Sequence, residues 1–185
     1  MSELAKRLDA LSPEKLALLS KRLKGKGADA QKKPQRIERR RDRPGPLSLA
    51  QQRLWFLSQL QPDSSFYNMA GAMRLAGDLD AAALEKTLDE IARRHEVLRT
   101  SFPTKQGRPV QVVAPAVPRP LRVEDLSGVA EPGREARLAR LINEESERPF
   151  DLAEGPLYRA TLFRLAPDEH VLLVVMHHIV GDGWS

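Results

Sequence analysis

The 185-residue chain contains no cysteine, which excludes disulfides, thiolate metal sites and thiol nucleophiles. It lacks any apolar run long enough to cross a bilayer. The N-terminal stretch "MSELAKRLDALSPEKLALL" has neither the continuous apolar core nor the small-residue cleavage site of a secretory signal, so cytoplasmic residence is the expectation. Aromatic residues are scarce, at 5% of the chain, and residues 1 to 45 have none. That absence argues against nucleic-acid binding, even though "RIERRRDR" (36 to 43) is strongly basic: nothing there can stack a base, and no reader motif is present. Internal repeats are absent too.

What is present is unevenly shared. Residues 1 to 45 hold 14 of the 30 Lys and Arg against 6 of the 25 acids, a balance of +8 that leaves residues 46 to 185 at −3. Leu4, Leu8 and Leu11, then Ser12-Pro13, then Leu16, Leu19 and Leu23 read as a short helical pair over residues 1 to 23. Residues 24 to 45, rich in Lys, Arg, Gly and Pro, have little to bury and read as a basic linker. The chain is 41% hydrophobic, enough for residues 46 to 185 to fold around a core.

Within that region, Ser48 and Gln51 have capping-box spacing and open a helix through Trp55, Phe56 and Leu60 that stops before Pro62. "MAGAMRL" (69 to 75) reads as a weak strand. Asp80 caps a helix whose stripe runs Leu84, Leu88, Ile91, His95, Leu98, with His95 packed on it. "PVQVV" and "PLRVEDL" are short strand candidates, and Leu138, Leu141 and Ile142 mark a helix at about 133 to 148. "LYRATLFRL" alternates like a half-buried strand, whereas "HVLLVVMHH" is apolar on both faces, as in a central strand covered on each side. The order indicates a layered α/β or α+β domain.

Three segments carry a family resemblance. "PLSLAQQRLWFLSQLQP" (46 to 62), "RRHEVLRTSF" (93 to 102) and "MHHIVGDGWS" (176 to 185) resemble, in order, signature motifs of the condensation domains of nonribosomal peptide synthetases. "FYN", "RLAGDLDAAALEKTLDEI" and "RPFDLAEGPLYRATLFRL" are similar to the same family. The resemblance implies the chloramphenicol acetyltransferase-like fold, in which two related lobes enclose a tunnel with the histidine motif at its centre. Residues 46 to 185 then correspond to most of the first lobe, truncated after the HHxxxDG motif and expected to be inactive alone. Gly181 stands where family members often have Ser, and "NMAGA" lacks a proline common in that strand; neither change removes a chemical group. The DxxxxD replacement of the cyclising relatives is absent.

The implied reaction is attack by a carrier-bound amine on a carrier-bound acyl or peptidyl thioester. An α-amino group with a pKa near 8 is partly neutral at pH 7, so the catalytic demand falls on the proton and charge that appear on attack. Adjacent strand residues point to opposite faces, so one of His177 and His178 can reach the tunnel. The pattern does not choose between them, since Val171, Leu173 and Val175 precede one and Leu172, Val174 and Met176 the other. The resemblance implies that His178 is catalytic and His177 a packed, hydrogen-bonded support. It makes Asp182 a structural carboxylate paired with an arginine; Arg99 is the candidate here, and an arginine of the other lobe would serve equally. Gly183 would leave a backbone amide open to substrate or oxyanion. Trp55, Phe56 and Trp184 read as core or tunnel-wall residues, and His170 shares no motif that suggests a metal.

No directly bound cofactor is expected. A carrier motif with its phosphopantetheinylated serine is absent, so the arm must arrive on upstream (donor) and downstream (acceptor) peptidyl carrier proteins. Because the chain begins at Met1, residues 1 to 45 are read either as a docking element for the C-terminal tail of an upstream synthetase polypeptide or as a plain linker. Two other classes stay open: a noncatalytic condensation-like recruitment module, and an HxxxD acyltransferase acting on a free amine or alcohol.

Overall fold

Helix starts and strand alternation account for most of the architecture seen in the computed structural model, which describes residues 45–182. The helical pair, almost all of the basic linker, Gly183 and Trp184 lie outside the described residues. Gly45 pairs with Gln111, whose N–H donates to the Gly45 carbonyl at 3.0 Å, so it belongs with the folded residues.

Helix α1 spans Leu49–Leu60. Its capping box forms as the spacing predicts: Gln51 N donates to Ser48 Oγ at 3.2 Å and Ser48 N to Gln51 Oε1 at 3.0 Å. Strand β1 (Asn68–Ala76) follows, then α2 (Ala81–Arg94), capped by Asp80 Oδ1 accepting from Ala83 N at 3.0 Å. A 3₁₀ turn covers Glu96–Arg99, and the short strands β2 (Thr100–Ser101), β3 (Thr104–Lys105), β4 (Arg108–Pro109) and β5 (Val112–Val113) form two small ribbons, β2 with β5 and β3 with β4. Strand β6 (Arg122–Asp125), helix α3 (Gly133–Glu147) and the long strands β7 (Tyr158–Ala166) and β8 (Glu169–His177) complete the fold.

The main sheet runs β1-β8-β7-β6, with β6 parallel to β7 and the other pairs antiparallel. Strand β8 is therefore interior to the sheet, as its double apolar pattern requires. Its two faces differ. Val171, Leu173 and Val175 are buried and pack with Leu126, Leu138, Phe163 and Leu165 under α3, in a core joined by Leu141, Ile142 and Phe150. Each such side chain contributes on the order of 2 kcal/mol by leaving water. On the other face Leu172, Val174 and Met176 are only half-buried; Met73, opposite Leu172, is 62% exposed, and a Cβ at Gly71, opposite Val174, would meet nothing within 4 Å. Covering on both sides was the expectation; among the described residues the second side is covered only in part, with Leu162, opposite Leu172 on β7, fully buried and Met73 on β1 exposed.

His95 also departs from expectation. Helix α2 ends at Arg94, and the switch to a 3₁₀ turn carries His95 off the apolar stripe to an exposed C-cap position. A second core of Leu47, Phe102, Leu152, Leu157, Ile179 and Val180, flanked by Leu54 and Trp55, lies beneath the segment that leaves β8.

Candidate functional site

The end of β8 separates the two histidines. His177, the last strand residue, points to the helix-covered face and is 4% exposed. Its N–H donates to Leu157 O at 2.9 Å, and its ring nitrogen Nδ1 accepts from Ile179 N at 3.1 Å. The rings of Tyr67 and Phe150 stand 6.2 and 6.4 Å away. Burial, and secondarily the neighbouring His178, push the His177 imidazole down to about 4, so it is neutral at pH 7.

His178 is the one exposed residue between Glu169 and Val180. Buried neighbours on both sides, His177 before it and Ile179 and Val180 after it, leave its side chain no inward path. Its backbone N–H donates to Tyr67 O at 2.8 Å, tying the residue to the start of β1. Its Nδ1 lies 2.7 Å from Gly181 O. A carbonyl can only accept, so Nδ1 carries the hydrogen, and in the neutral ring Nε2 holds a free lone pair.

The ring borders an open cleft of about 600 Å³, whose other walls include Ser48, Gln51, Arg53, Tyr67 and Asp182. The volume is in the range of ligand sites. Gln51 links helix α1 to this wall: its Nε2 lies 3.4 Å from Ile179 O, while its Oε1 accepts from Gln111 Nε2 at 2.9 Å. The capping residue of α1 is thus also a brace for the histidine turn.

Arg99 does not pair with Asp182. Its Nη1 donates to Ala114 O at 2.5 Å and its Nη2 lies 3.6 Å from Glu96. The reason lies in the backbone: Ala114 N donates to Arg99 O at 2.9 Å beside the β2–β5 ribbon, which carries the guanidinium into a depression shared with Lys86, Asp89 and Tyr158. Asp182 itself is exposed on the His178 cleft. The amide expected of Gly183 lies outside the described residues.

Trp55 is half-buried against the second core, while Phe56 is 57% exposed. Among the described residues no group of three or more His, Asp or Glu side chains could hold a metal ion, and no helix is long and apolar enough to cross a membrane. Sequence reasoning passed over Tyr67, Asn68, Phe150 and Arg159, all of which touch the histidine turn or its supports. They lay in plain view within "FYN" and "RPFDLAEGPLYR", but nothing local in those stretches marks a contact made across the sheet.

Comparison with known proteins reaches across the whole described region. The condensation-domain profile matches residues 43–185, a span that includes the histidine turn. The chain belongs to the condensation-domain family. It is 51% identical over 140 residues to chondramide synthase cmdD of Chondromyces crocatus, a match covering 76% of this chain and 4% of that protein. Phosphinothricin tripeptide synthetase PhsC of Streptomyces viridochromogenes is 43% identical over 187 residues, covering 100% of this chain and 17% of the synthetase. Among solved structures, the starter condensation domain of rhizomide synthetase superposes with a TM-score of 0.69 at 29% identity, covering 75% of this chain and 34% of that domain. The chain thus spans about a third of a solved condensation domain, and its fold is that of the first lobe of the chloramphenicol acetyltransferase-like architecture.

Proposed function

We propose that this chain supplies the histidine wall of a site that forms amide bonds between carrier-bound acyl and aminoacyl groups. The observation that carries the reading is His178: exposed on a cleft, tautomer set by Gly181 O, Nε2 unencumbered. The acceptor amine attacks the donor thioester carbonyl, forming the C–N bond and a tetrahedral oxyanion. Nε2 takes the proton that the nitrogen must lose. Collapse breaks the C–S bond, and the departing thiolate recovers that proton from the imidazolium, so the ring ends neutral.

General-base help is worth roughly 10² to 10⁴ in rate, whereas orienting two tethered reactants can supply effective molarities up to about 10⁵ to 10⁸ M. The larger share therefore falls to the passage that holds two phosphopantetheine arms, one from an upstream and one from a downstream carrier. The described cleft is open on one side and cannot exclude water or hold both arms. These 185 residues alone are accordingly expected to be inactive, and the opposite wall to come from a second lobe. In the whole domain Asp182 would brace the loop and the Gly183 amide would face the oxyanion.

The test is single-turnover peptide formation between loaded carriers in a full-length condensation domain containing this sequence. His178→Ala should slow it by about 10² to 10⁴; an unchanged rate removes His178 from the chemistry. Transfer to a free amine or alcohol at the same rate as to a carrier-bound one would favour the general acyltransferase reading instead.

A further inference from the structure

Behind the histidine turn lies an arrangement the reaction as described does not use. Helix α3 ends at Glu147, and its last carbonyls have no partners within the helix. Two side chains from the sheet collect them. Asn68 Nδ2 donates to Ser146 O at 2.8 Å and to Arg148 O at 2.9 Å. Arg159 donates to Glu145 O at 2.6 Å from Nη2 and 3.2 Å from Nε, and also to Arg148 O.

These two residues flank the end of β8. Asn68 stands opposite His177 in the β1–β8 pair, and Arg159 opposite Val175 in the β7–β8 pair. The C-terminus of α3 is thus tied across three strands directly beneath His177. The segment leaving the helix carries Phe150 into the gap. The Arg159 guanidinium carbon lies 4.0 Å from the centre of the Phe150 ring, and that ring meets His177 edge-on, at 86°. His177 in turn holds Ile179 N, the bond that ends the strand and turns His178 outward.

We propose that Arg159, acting through Phe150 and His177, is a positioning residue that holds the His178 ring in its reactive pose. The proposal rests on the function given above. Arg159 suits the part because its planar fork bonds two carbonyls while its face covers a ring, which a lysine cannot do. Its side chain is 13% exposed, as is that of Glu145, whose carboxylate lies 3.5 Å from Nε. Burial, then the nearby Arg148, lowers the guanidinium to about 10, which leaves it cationic at pH 7. Glu145 is shared with Arg122 at 2.6 Å and Arg148 at 3.0 Å, so the anchor is itself fixed from two further sides.

The test uses the full-length domain with loaded carriers and three variants: Arg159→Met, which keeps the stem and loses the fork; Phe150→Leu, which keeps the Arg159 hydrogen bonds and loses the ring; and His178→Ala. The readouts are the single-turnover rate at saturating carrier, the KM for the acceptor carrier, and the ¹⁵N signals of the His177 ring at pH 7. Arg159→Met is expected to lower the rate about tenfold or more at unchanged KM, since small misplacements of reacting groups are costly. It should also move the His177 Nδ1 signal away from that of a pure acceptor. Phe150→Leu should do the same, and decides the matter if Arg159→Met does not fold. A folded variant at full rate overturns the proposal, and so does a rate loss with the His177 signals unmoved. If His178→Ala itself retains full rate, the proposed function has failed; if it is slow while Arg159→Met is not, only the positioning role has.

Discussion

Acidification should destabilise this domain through His177, in a window set by the burial of that ring and its neighbour His178. Its imidazole titrates near 4 in the fold against an ordinary 6.5 in the unfolded chain. Above pH 6.5 both states leave it neutral, and the stability associated with its burial is fully present. Between 6.5 and about 4 the unfolded chain binds a proton that the fold refuses, so stability is lost as pH falls through that range and the loss levels off below it. At about 1.4 kcal/mol for each tenfold difference in proton affinity, the loss comes to roughly 2 kcal/mol between pH 7 and 5 and roughly 3 kcal/mol by pH 4. The groups that surround the ring are His178 beside it, Tyr67, and Arg159 across Phe150. The assay is urea denaturation of the full-length domain at half-unit pH steps, compared with His177→Asn. Asparagine places Oδ1 where Nδ1 accepts from Ile179 N, and it does not titrate in this range. Carboxylates, His95 and His170 are common to both proteins and cancel in the difference, which leaves His177 and its coupling to His178. The wild type should therefore fall relative to the variant with a slope approaching about 1.4 kcal/mol per pH step of one. Parallel curves would refute the assignment of His177 as a buried neutral ring.

Three further outcomes follow from individual contacts. Ser48→Ala removes the Oγ that accepts from Gln51 N and should cost about 1 kcal/mol in denaturant unfolding. It should also weaken the Gln51 brace on Ile179 O, seen as faster amide exchange in the turn at 178 to 181. Leu138→Ala, at the one buried position of α3, should cost about 2 to 5 kcal/mol by transfer and cavity together, read from the same unfolding curves. Because Arg99 bonds Glu96 and Ala114 rather than Asp182, a double-mutant cycle of Arg99→Met with Asp182→Asn should show a coupling below about 0.5 kcal/mol in transition-state stabilisation. A larger coupling would restore the Arg99–Asp182 pair.

How much of this was legible in the sequence depends on the range of the interaction involved. Ser48, Gln51 and Asp80 act on backbone groups three residues away, so their spacing alone placed the starts of α1 and α2. The unbroken apolar run before His177 reflects the interior place of β8, so that place could be read directly; the alternation read into Tyr158–Ala166 could not show that Thr161, Leu162 and Phe163 are all buried, because β7 is interior to the sheet as well. His95 was misplaced because a stripe counted at about 3.6 residues per turn does not register a helix that tightens into a 3₁₀ turn. Arg99, a candidate partner for Asp182 alongside an arginine of the other lobe, lies elsewhere because charge complementarity does not encode direction, and the β2–β5 ribbon decides where that side chain points. The Asn68–Arg159 clamp was invisible for a simpler reason: its acceptors on α3 lie far along the chain from Asn68, and on a different element from Arg159, so only the sheet register brings them together.

Neither histidine could be placed from pattern, because their difference lies in packing. Apolar residues precede each of them at the same spacing, so hydrophobicity gives no preference. What separates them is that His177 ends β8 on the face covered by α3, while the turn that follows carries His178 to the wall of a cleft. The closed face makes protonation of His177 costly, and that cost has a chemical use. In the proposed reaction His178 becomes an imidazolium while the tetrahedral species forms, one residue from His177. Two cations at that separation in a partly desolvated site would oppose the proton transfer, whereas a neutral, hydrogen-bonded ring does not. Burial of the first histidine thus removes a competing positive charge beside the second, a division of labour set where the strand ends and the chain turns.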